Sequence, residues 1–170
     1  MNRHVRLGIN IDHVATLRNA RGGDTPKVIE AAKVVEESGA DLITVHVRED
    51  RRHINEKDLG NILDTVNIPV NLEIAANSEM IDIAINYHPK FVCFVPENRK
   101  EITTEGGLDV INNFKELNKV LKSITDTEIN VSIFIDPDKE QIKAVNDLGI
   151  NTVEFHTCLL YTSPSPRDLH

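Results

Sequence analysis

The segments Leu42-Ile43-Thr44-Val45-His46 and Val70-Asn71-Leu72-Glu73 decide the fold, because each is a short apolar run that closes on an ionisable residue. The same pattern recurs at residues 5–11, 91–95, 131–135 and 153–155, which lead into polar or charged positions. Stretches of helical length separate these six runs. Strands that are apolar on both faces and alternate with helices predict a parallel sheet. In such folds the carboxyl ends of the strands carry the chemistry.

The helices are predicted at the segment that Thr25-Pro26 opens and at residues 58–66, 78–87, 108–124 and 139–148, with a polar segment at 16–24 after the first strand. Right-handed crossover connections between parallel strands are compatible with two arrangements, a closed barrel or an open doubly wound sheet. The pairs Gly22-Gly23 and Gly106-Gly107 are not a dinucleotide or nucleotide-triphosphate motif. This favours an α/β (β/α)8 TIM barrel, of which residues 1–157 would supply about the first six strands.

Size and composition exclude several classes of protein. At 170 residues the chain is shorter than the roughly 250 of a typical complete barrel. A formal charge of -8 and a pI near 5.3 argue against nucleic acid as the main partner. No apolar run approaches the roughly 18 residues of a membrane span, and no signal-peptide core follows Met1, so we expect no membrane association and a cytoplasmic location. Neither Cys93 nor Cys158 suggests a disulfide framework or a metal site.

Polar or ionisable residues at the ends of three strands are candidates for catalytic or binding roles. Alternation along a strand sends Asn10 and Asp12 to one side, and it does the same for His46 and Arg48. An imidazole or a carboxylate inside an apolar strand is costly unless it has a partner or a task. His46 and Glu73, on neighbouring strands, would therefore form a general acid/base pair.

Other interpretations of these residues stay open. Asp12 could simply cap the turn that follows its strand, and residues 49–52 could be a solvated charged surface. A metal site is the rival use of the strand-end residues, but the spacing places Arg48 where a second histidine ligand would be needed. Arg21, Arg48 and His53 favour a bound phosphate or carboxylate instead.

The same residues lie in motifs that closely resemble the pyridoxine 5′-phosphate synthase family of vitamin B6 biosynthesis. The resemblance covers about residues 4–157 and rests on five motifs: NIDHVATLRNARG (10–22), ITVHVREDRRHI (43–54), NLE (71–73), VPE (95–97) and TTEGGLD (103–109). It implies a barrel that condenses 3-amino-2-oxopropyl phosphate with 1-deoxy-D-xylulose 5-phosphate. The products would be pyridoxine 5′-phosphate, inorganic phosphate and water.

Carried over position by position, the resemblance makes His46 and Glu73 the proton acceptors. Asn10 and Arg21 would contact the aminoketone phosphate, and five residues would hold the deoxyxylulose phosphate: Asp12, His13, Arg48, His53 and Thr103. It implies small phosphorylated substrates, a homo-oligomer, and no metal or redox cofactor. Residues 97–107 look like a lid that closes over the site.

Residues 158–170 depart from the family pattern, because Pro164 and Pro166 forbid a regular helix where the family continues with two more βα units. We expect this tail to be non-native or disordered, and the 170-residue chain to be inactive on its own. Two other functions remain: another phosphate-sugar barrel of the aldolase or epimerase type, and a non-catalytic sugar-phosphate-binding barrel. The first is disfavoured because the six strands lack a suitable strand-end lysine. The second would not need Glu73.

Overall fold

A computed structural model describes residues 5–97 and 106–158. Within these residues there are six strands and six helices, with two helices between the first two strands and one between each later pair. The strands are β1 (Gly8–Asn10), β2 (Leu42–His46), β3 (Val70–Ile74), β4 (Phe91–Phe94), β5 (Asn130–Ile135) and β6 (Val153–Phe155). The helices are α1 (Asp12–Arg21), α2 (Val28–Glu37), α3 (Glu56–Thr65), α4 (Ser78–Tyr87), α5 (Phe114–Ile124) and α6 (Lys139–Asp147).

All strand pairs are parallel, and the strands follow one another across the sheet in chain order from β1 to β6. An open doubly wound sheet would reverse this order at a switch point. The uninterrupted order instead makes a curled half-barrel with helices between successive strands. The predicted fold class, a partial TIM barrel, is confirmed.

The hydrophobic core lies between the sheet and the helices. Alternate strand residues such as Val45, Leu72 and Phe94 are fully buried in one cluster with helix residues such as Leu59 and Met80. Since the residues between them in each strand point to the opposite face, the helix-covered face takes the apolar side chains. The concave face is left for polar ones. Truncating Leu59 to alanine would cost about 2 to 5 kcal/mol, the usual range for a buried leucine.

The sequence analysis predicted no helix in the polar segment at residues 16–24, whereas α1 runs through residue 21 and includes six of these nine residues. Ala15 is fully buried, whereas most of the helix is polar, so its sequence lacks an apolar stripe. Asp12 in the first turn and Arg18 in the last turn complement the helix dipole. Gly22 ends the helix with a left-handed φ of 68°, a conformation that glycine adopts without strain.

Several other boundaries differ from the predicted ones. Helix α2 begins at Val28, after the expected Thr25-Pro26 start. Helix α3 begins two residues earlier than predicted, because Asn55 and Asp58 form a reciprocal capping box. Helix α5 begins at residue 114 instead of 108, and β1 is limited to three residues. Helix α4 and strand β6 have the predicted bounds.

Some expectations fall outside the described residues. Thr103, most of the expected lid at 97–107 and the tail beyond Cys158 belong to these segments. In the described part of the chain, no helix has both the length and the apolar character needed to cross a bilayer.

Candidate active site

Strand register places the polar residues of the concave face at a common level. His46 of β2 pairs with Glu73 of β3, Glu73 pairs with Cys93 of β4, and Cys93 pairs with Ser132 of β5. Glu154 of β6 pairs with Phe134, two residues beyond Ser132, and interacts with the Cys93 thiol. The row therefore lines the inside of the half-barrel near the carboxyl ends of the strands, where the sequence predicted the chemistry.

Asp12 ties the start of α1 to the end of β2. One of its carboxylate oxygens, Oδ1, accepts a hydrogen bond from the backbone N–H of His46 at 2.7 Å. The other, Oδ2, accepts from the side-chain amide of Asn10 at 2.8 Å, and the Asn10 oxygen accepts from the Asp12 N–H at 2.9 Å. Asp12 thus does more than cap a turn, because it connects two strand ends. Burial raises the pKa of Asp12, although these hydrogen bonds and the nearby histidines oppose the rise.

His46 lies between two carboxyl groups. Its Nδ1 is 3.8 Å from Glu73 Oε2, which is close but longer than a hydrogen bond. Its Nε2 lies 2.9 Å from Glu97 Oε1, within hydrogen-bond distance. The side chains of His46 and Glu97 are 5% and 6% exposed. The predicted proximity of His46 and Glu73 is confirmed, and Glu97 is a site residue that the sequence reasoning missed.

Glu73 is the most perturbed carboxyl group of the site. Burial raises its pKa from 4.5 to about 8, and the negative charges of Glu154 and Asp12 add to the rise. Glu73 therefore keeps its proton at neutral pH and can donate it. Glu154 also has a raised pKa because it is buried. Its position in an apolar strand gave the same signal as Glu73, but the sequence analysis assigned it no role.

The segment after β2 brings two of the predicted anion ligands, Arg48 and His53, to the same edge. Arg48 is 2% exposed, and its Nε lies 3.6 Å from Asp50 Oδ1. The ring of His53 lies 6.2 Å from that of His46 and 5.8 Å from that of His13, between centroids. Burial and then the positive charges around His53 lower its pKa to about 4, so this imidazole is neutral at pH 7.

Helix α1 holds this segment in place through the side chains of Thr16, Arg18 and Asn19. Thr16 Oγ1 lies 2.6 Å from His53 Nδ1, and the Asn19 amide donates to the carbonyl of His53 at 3.0 Å. Arg18 donates two hydrogen bonds to the carboxylate of Asp58, at 2.6 and 2.8 Å. These bonds join α1 to His53, near the end of the segment that follows β2, and to the first turn of α3.

Arg21 is placed differently from the other predicted anion ligands. It is exposed at the last residue of α1, and no described contact joins it to Arg48 or His53. Asn10, Asp12, His46 and Glu73 come together, with His13, Arg48 and His53 beside them. The convergence of Arg21 with Arg48 and His53 stays a prediction, as does the role of Thr103, which lies outside the described residues.

A metal ion is one possible occupant of the site, because Asp12, His46 and Glu73 each offer a ligand atom within 4.8 Å of the others. Both Asp12 oxygens, however, already accept hydrogen bonds from the protein. Metal ligation also needs an ionised carboxylate, so a metal ion would have to displace the proton that Glu73 keeps until about pH 8.

A second polar group lies at the ends of β5 and β6. Asp136 Oδ1 accepts a hydrogen bond from the backbone N–H of Gly107 at 3.1 Å and lies 3.0 Å from His156 Nδ1. A side chain at position 107 would overlap the backbone of residues 135 and 136, so the close approach requires glycine. This contact anchors the chain entering α5 to the sheet.

Comparison with known proteins adds independent information. Residues 7–165 match the family described as Pyridoxal phosphate biosynthesis protein PdxJ. The pyridoxine 5′-phosphate synthase of Rhodospirillum rubrum is 50% identical over 157 residues, which cover 92% of this chain and 63% of that protein. The synthase of Aquifex pyrophilus is 51% identical over 153 residues, covering 90% of this chain and 65% of that protein. The chain thus spans slightly less than two thirds of the length of these relatives.

Solved structures support the fold alone. A mandelate oxidase with benzoyl-formic acid superposes with a TM-score of 0.63 at 11% identity, covering 92% of this chain and 57% of that chain. A second mandelate oxidase structure gives a TM-score of 0.61 at 11% identity, covering 88% of this chain and 55% of that chain. Because the identity is so low, these matches concern the partial α/β barrel and not its chemistry.

Proposed function

Because the chain belongs to the PdxJ family of pyridoxal phosphate biosynthesis proteins, we propose that its barrel carries the active site of a pyridoxine 5′-phosphate synthase. The reaction would condense 3-amino-2-oxopropyl phosphate with 1-deoxy-D-xylulose 5-phosphate. The products would be pyridoxine 5′-phosphate, inorganic phosphate and water. The observation that carries this proposal is the pair of His46 and Glu73, level in the sheet and 3.8 Å apart between Nδ1 and Oε2.

The two members of this pair have complementary properties. The resemblance makes Glu73 a proton acceptor, but burial raises its pKa to about 8, so at neutral pH it would first donate a proton to a leaving oxygen and accept one afterwards. His46 offers a nitrogen lone pair that can accept one. Forming an imine, losing water and closing a ring each require protons to be moved at a carbon or an oxygen. A buried acid beside an imidazole base can perform such steps in both directions.

The phosphate groups of the substrates would be held near the charged segment that follows β2. Arg48, His53 and His13 would bind the deoxyxylulose phosphate, with Asp12 orienting its hydroxyl groups and Thr103 completing the site. Asn10 and Arg21 would bind the phosphate of the aminoketone. A guanidinium suits this task because it presents several donors in a plane to phosphate oxygens. The bonds from α1 preorganise the segment, which lowers the cost of ordering it around a ligand.

The proposal also covers the substrates, the oligomeric state and the cellular location of the enzyme. Both substrates are small phosphorylated molecules, and the family resemblance favours a cytoplasmic homo-oligomer. The transferase chemistry proposed for the residues above uses side-chain acids and bases throughout.

The Glu73→Gln substitution tests the proposal with two measurements on the same protein. We would assay this chain and, in parallel, the chain extended to the length of its relatives, and Glu30→Gln on the exposed face of α2 would serve as the control. For an enzyme, binding of 1-deoxy-D-xylulose 5-phosphate by calorimetry should survive while product formation falls by about 10²-fold or more. Unchanged product formation in Glu73→Gln would refute the role of Glu73. Binding with no product from the unmodified extended protein would favour a non-catalytic binding barrel.

A further inference from the structure

Glu97 has contacts that the proposed chemistry does not yet explain. We propose that Glu97 is a positioning residue that holds the proton of neutral His46 on Nε2, so that the lone pair of Nδ1 is directed towards Glu73. The inference rests on the proposed function, because it assigns His46 the role of a base. It adds a third member to the acid/base pair and specifies which ring nitrogen exchanges protons.

Both oxygens of the Glu97 carboxylate contact groups at or just after the end of β2. Its Oε1 lies 2.9 Å from His46 Nε2, and its Oε2 accepts a hydrogen bond from the backbone N–H of Glu49 at 3.0 Å. One carboxylate therefore joins the end of β4 to the end of β2. With 6% of its side chain exposed, Glu97 has little access to water that could replace either partner.

The charge state of Glu97 follows from these contacts. Burial alone would raise its pKa, but the hydrogen bonds from His46 and Glu49 and the nearby positive charges outweigh it and lower the pKa overall. Glu97 is therefore an ionised carboxylate at neutral pH, and both of its oxygens can only accept hydrogen bonds. Glu73, on the other side of His46, has the opposite character because it keeps its proton.

The two carboxyl groups set the tautomer of the ring between them. Neutral imidazole carries one N–H, and which nitrogen bears it depends on the hydrogen bonds available. An ionised acceptor 2.9 Å from Nε2 favours the proton at that nitrogen. The Nδ1 lone pair then lies on the side of the Glu73 carboxyl group, 3.8 Å away. When Nδ1 takes a proton from a substrate, the bonding electrons stay on the substrate, and Glu97 stabilises the resulting imidazolium.

The Glu97→Gln variant makes a sharp test because two donors would then compete for one amide oxygen. The backbone N–H of Glu49 cannot move its proton, whereas the ring of His46 can. If the oxygen serves Glu49, the amide NH2 group lies beside Nε2 and forces that nitrogen to accept. The variant should therefore change the main tautomer of His46 from Nε2–H to Nδ1–H.

The tautomer can be measured by NMR on the chain labelled with 15N in histidine, at a pH where the His46 ring is neutral. His46→Asn assigns the signals, Glu97→Ala removes the acceptor altogether, and Glu30→Gln serves as a distant control. We expect the Nε2–H form in the unmodified chain and in the control, the Nδ1–H form in Glu97→Gln, and a loss of preference in Glu97→Ala. The same tautomer in all proteins would overturn the proposal. If Glu97→Gln fails to fold, an Nδ1–H form in the unmodified chain overturns it alone.

Kinetics separate this inference from the function on which it rests. In the extended protein, Glu97→Gln should lower kcat by about 10²- to 10⁴-fold with little change in KM, because the wrong tautomer removes the lone pair of the base. Absence of product from the unmodified extended protein would refute the proposed function itself, whereas full turnover in His46→Asn would refute the role of His46 as the base. An inactive His46→Asn together with full turnover and an unchanged tautomer in Glu97→Gln would refute only the role of Glu97.

Discussion

The protonated state of Glu73 should make the stability of the fold depend on pH in a direction opposite to that of most carboxyl groups. Its pKa is about 8 in the folded protein because the group is buried, against 4.5 for the exposed group. Between these two pH values the unfolded chain releases the proton that the folded chain keeps. The contribution of Glu73 to stability is therefore greatest below pH 4.5 and falls as the pH rises towards 8.

The size of the effect follows from the two pKa values. Each unit between them corresponds to 1.36 kcal/mol, so the contribution of Glu73 falls by about 5 kcal/mol from pH 4.5 to pH 8. This is a large fraction of the 5 to 15 kcal/mol by which domains are usually stable. Glutamine is nearly the same size and carries no titratable proton. Glu73→Gln should abolish this part of the pH dependence.

The assay is urea denaturation of the unmodified chain and of Glu73→Gln at several pH values between 4.5 and 8.5. Subtracting one series from the other removes the contributions of the titratable groups that do not interact with Glu73, which both proteins share. We expect the difference in free energy of unfolding to shift in favour of the variant by several kcal/mol as the pH rises. Parallel curves across this range would refute the reasoning, because they would mean that Glu73 is ionised in the folded protein.

Three further predictions concern other contacts of the site. Arg48→Ala should weaken binding of 1-deoxy-D-xylulose 5-phosphate by about 10- to 10²-fold in calorimetry, the value of one or two charge-assisted hydrogen bonds, and unchanged affinity would exclude Arg48 from the site. Arg18→Lys should lower the free energy of unfolding by about 1 to 3 kcal/mol, because lysine cannot make the paired hydrogen bonds to Asp58. A loss below about 0.5 kcal/mol would show that these hydrogen bonds contribute little to stability. Gly107→Ala should lower the melting temperature, because the new methyl group meets the backbone of residues 135 and 136. The control Gly106→Ala places its methyl group in open space, so equal melting temperatures in the two variants would contradict this prediction.

The sequence predicted the sheet well because the signals for its strands are local. Each strand is a short apolar run, and each is separated from the next by a helix, which together specify parallel strands. The positions of His46 and Glu73 followed from the same pattern, since a charged group in an apolar strand needs a buried partner. Strand register then placed the two side by side, as expected.

The elements that were missed depend on contacts between distant parts of the chain. Helix α1 is mostly polar, and its side chains Arg18 and Asn19 bind groups more than 30 residues away. The spacing of apolar residues along the sequence does not predict such a helix. Glu97 was quoted as part of a motif, but its hydrogen bond to His46 spans 51 residues of sequence. The burial that raises the pKa of Glu73 is likewise a property of the assembled half-barrel.

The most direct test of the central claim, that His46 and Glu73 form the acid/base centre of a pyridoxine 5′-phosphate synthase, is the rate of product formation from the two phosphorylated substrates. It would be measured with the chain extended to the length of its relatives, unmodified and with His46→Asn. We predict that the unmodified protein forms pyridoxine 5′-phosphate and that His46→Asn is slower by about 10²-fold or more, with substrate binding retained. Equal rates in the two proteins, or the absence of product from both, would contradict the account.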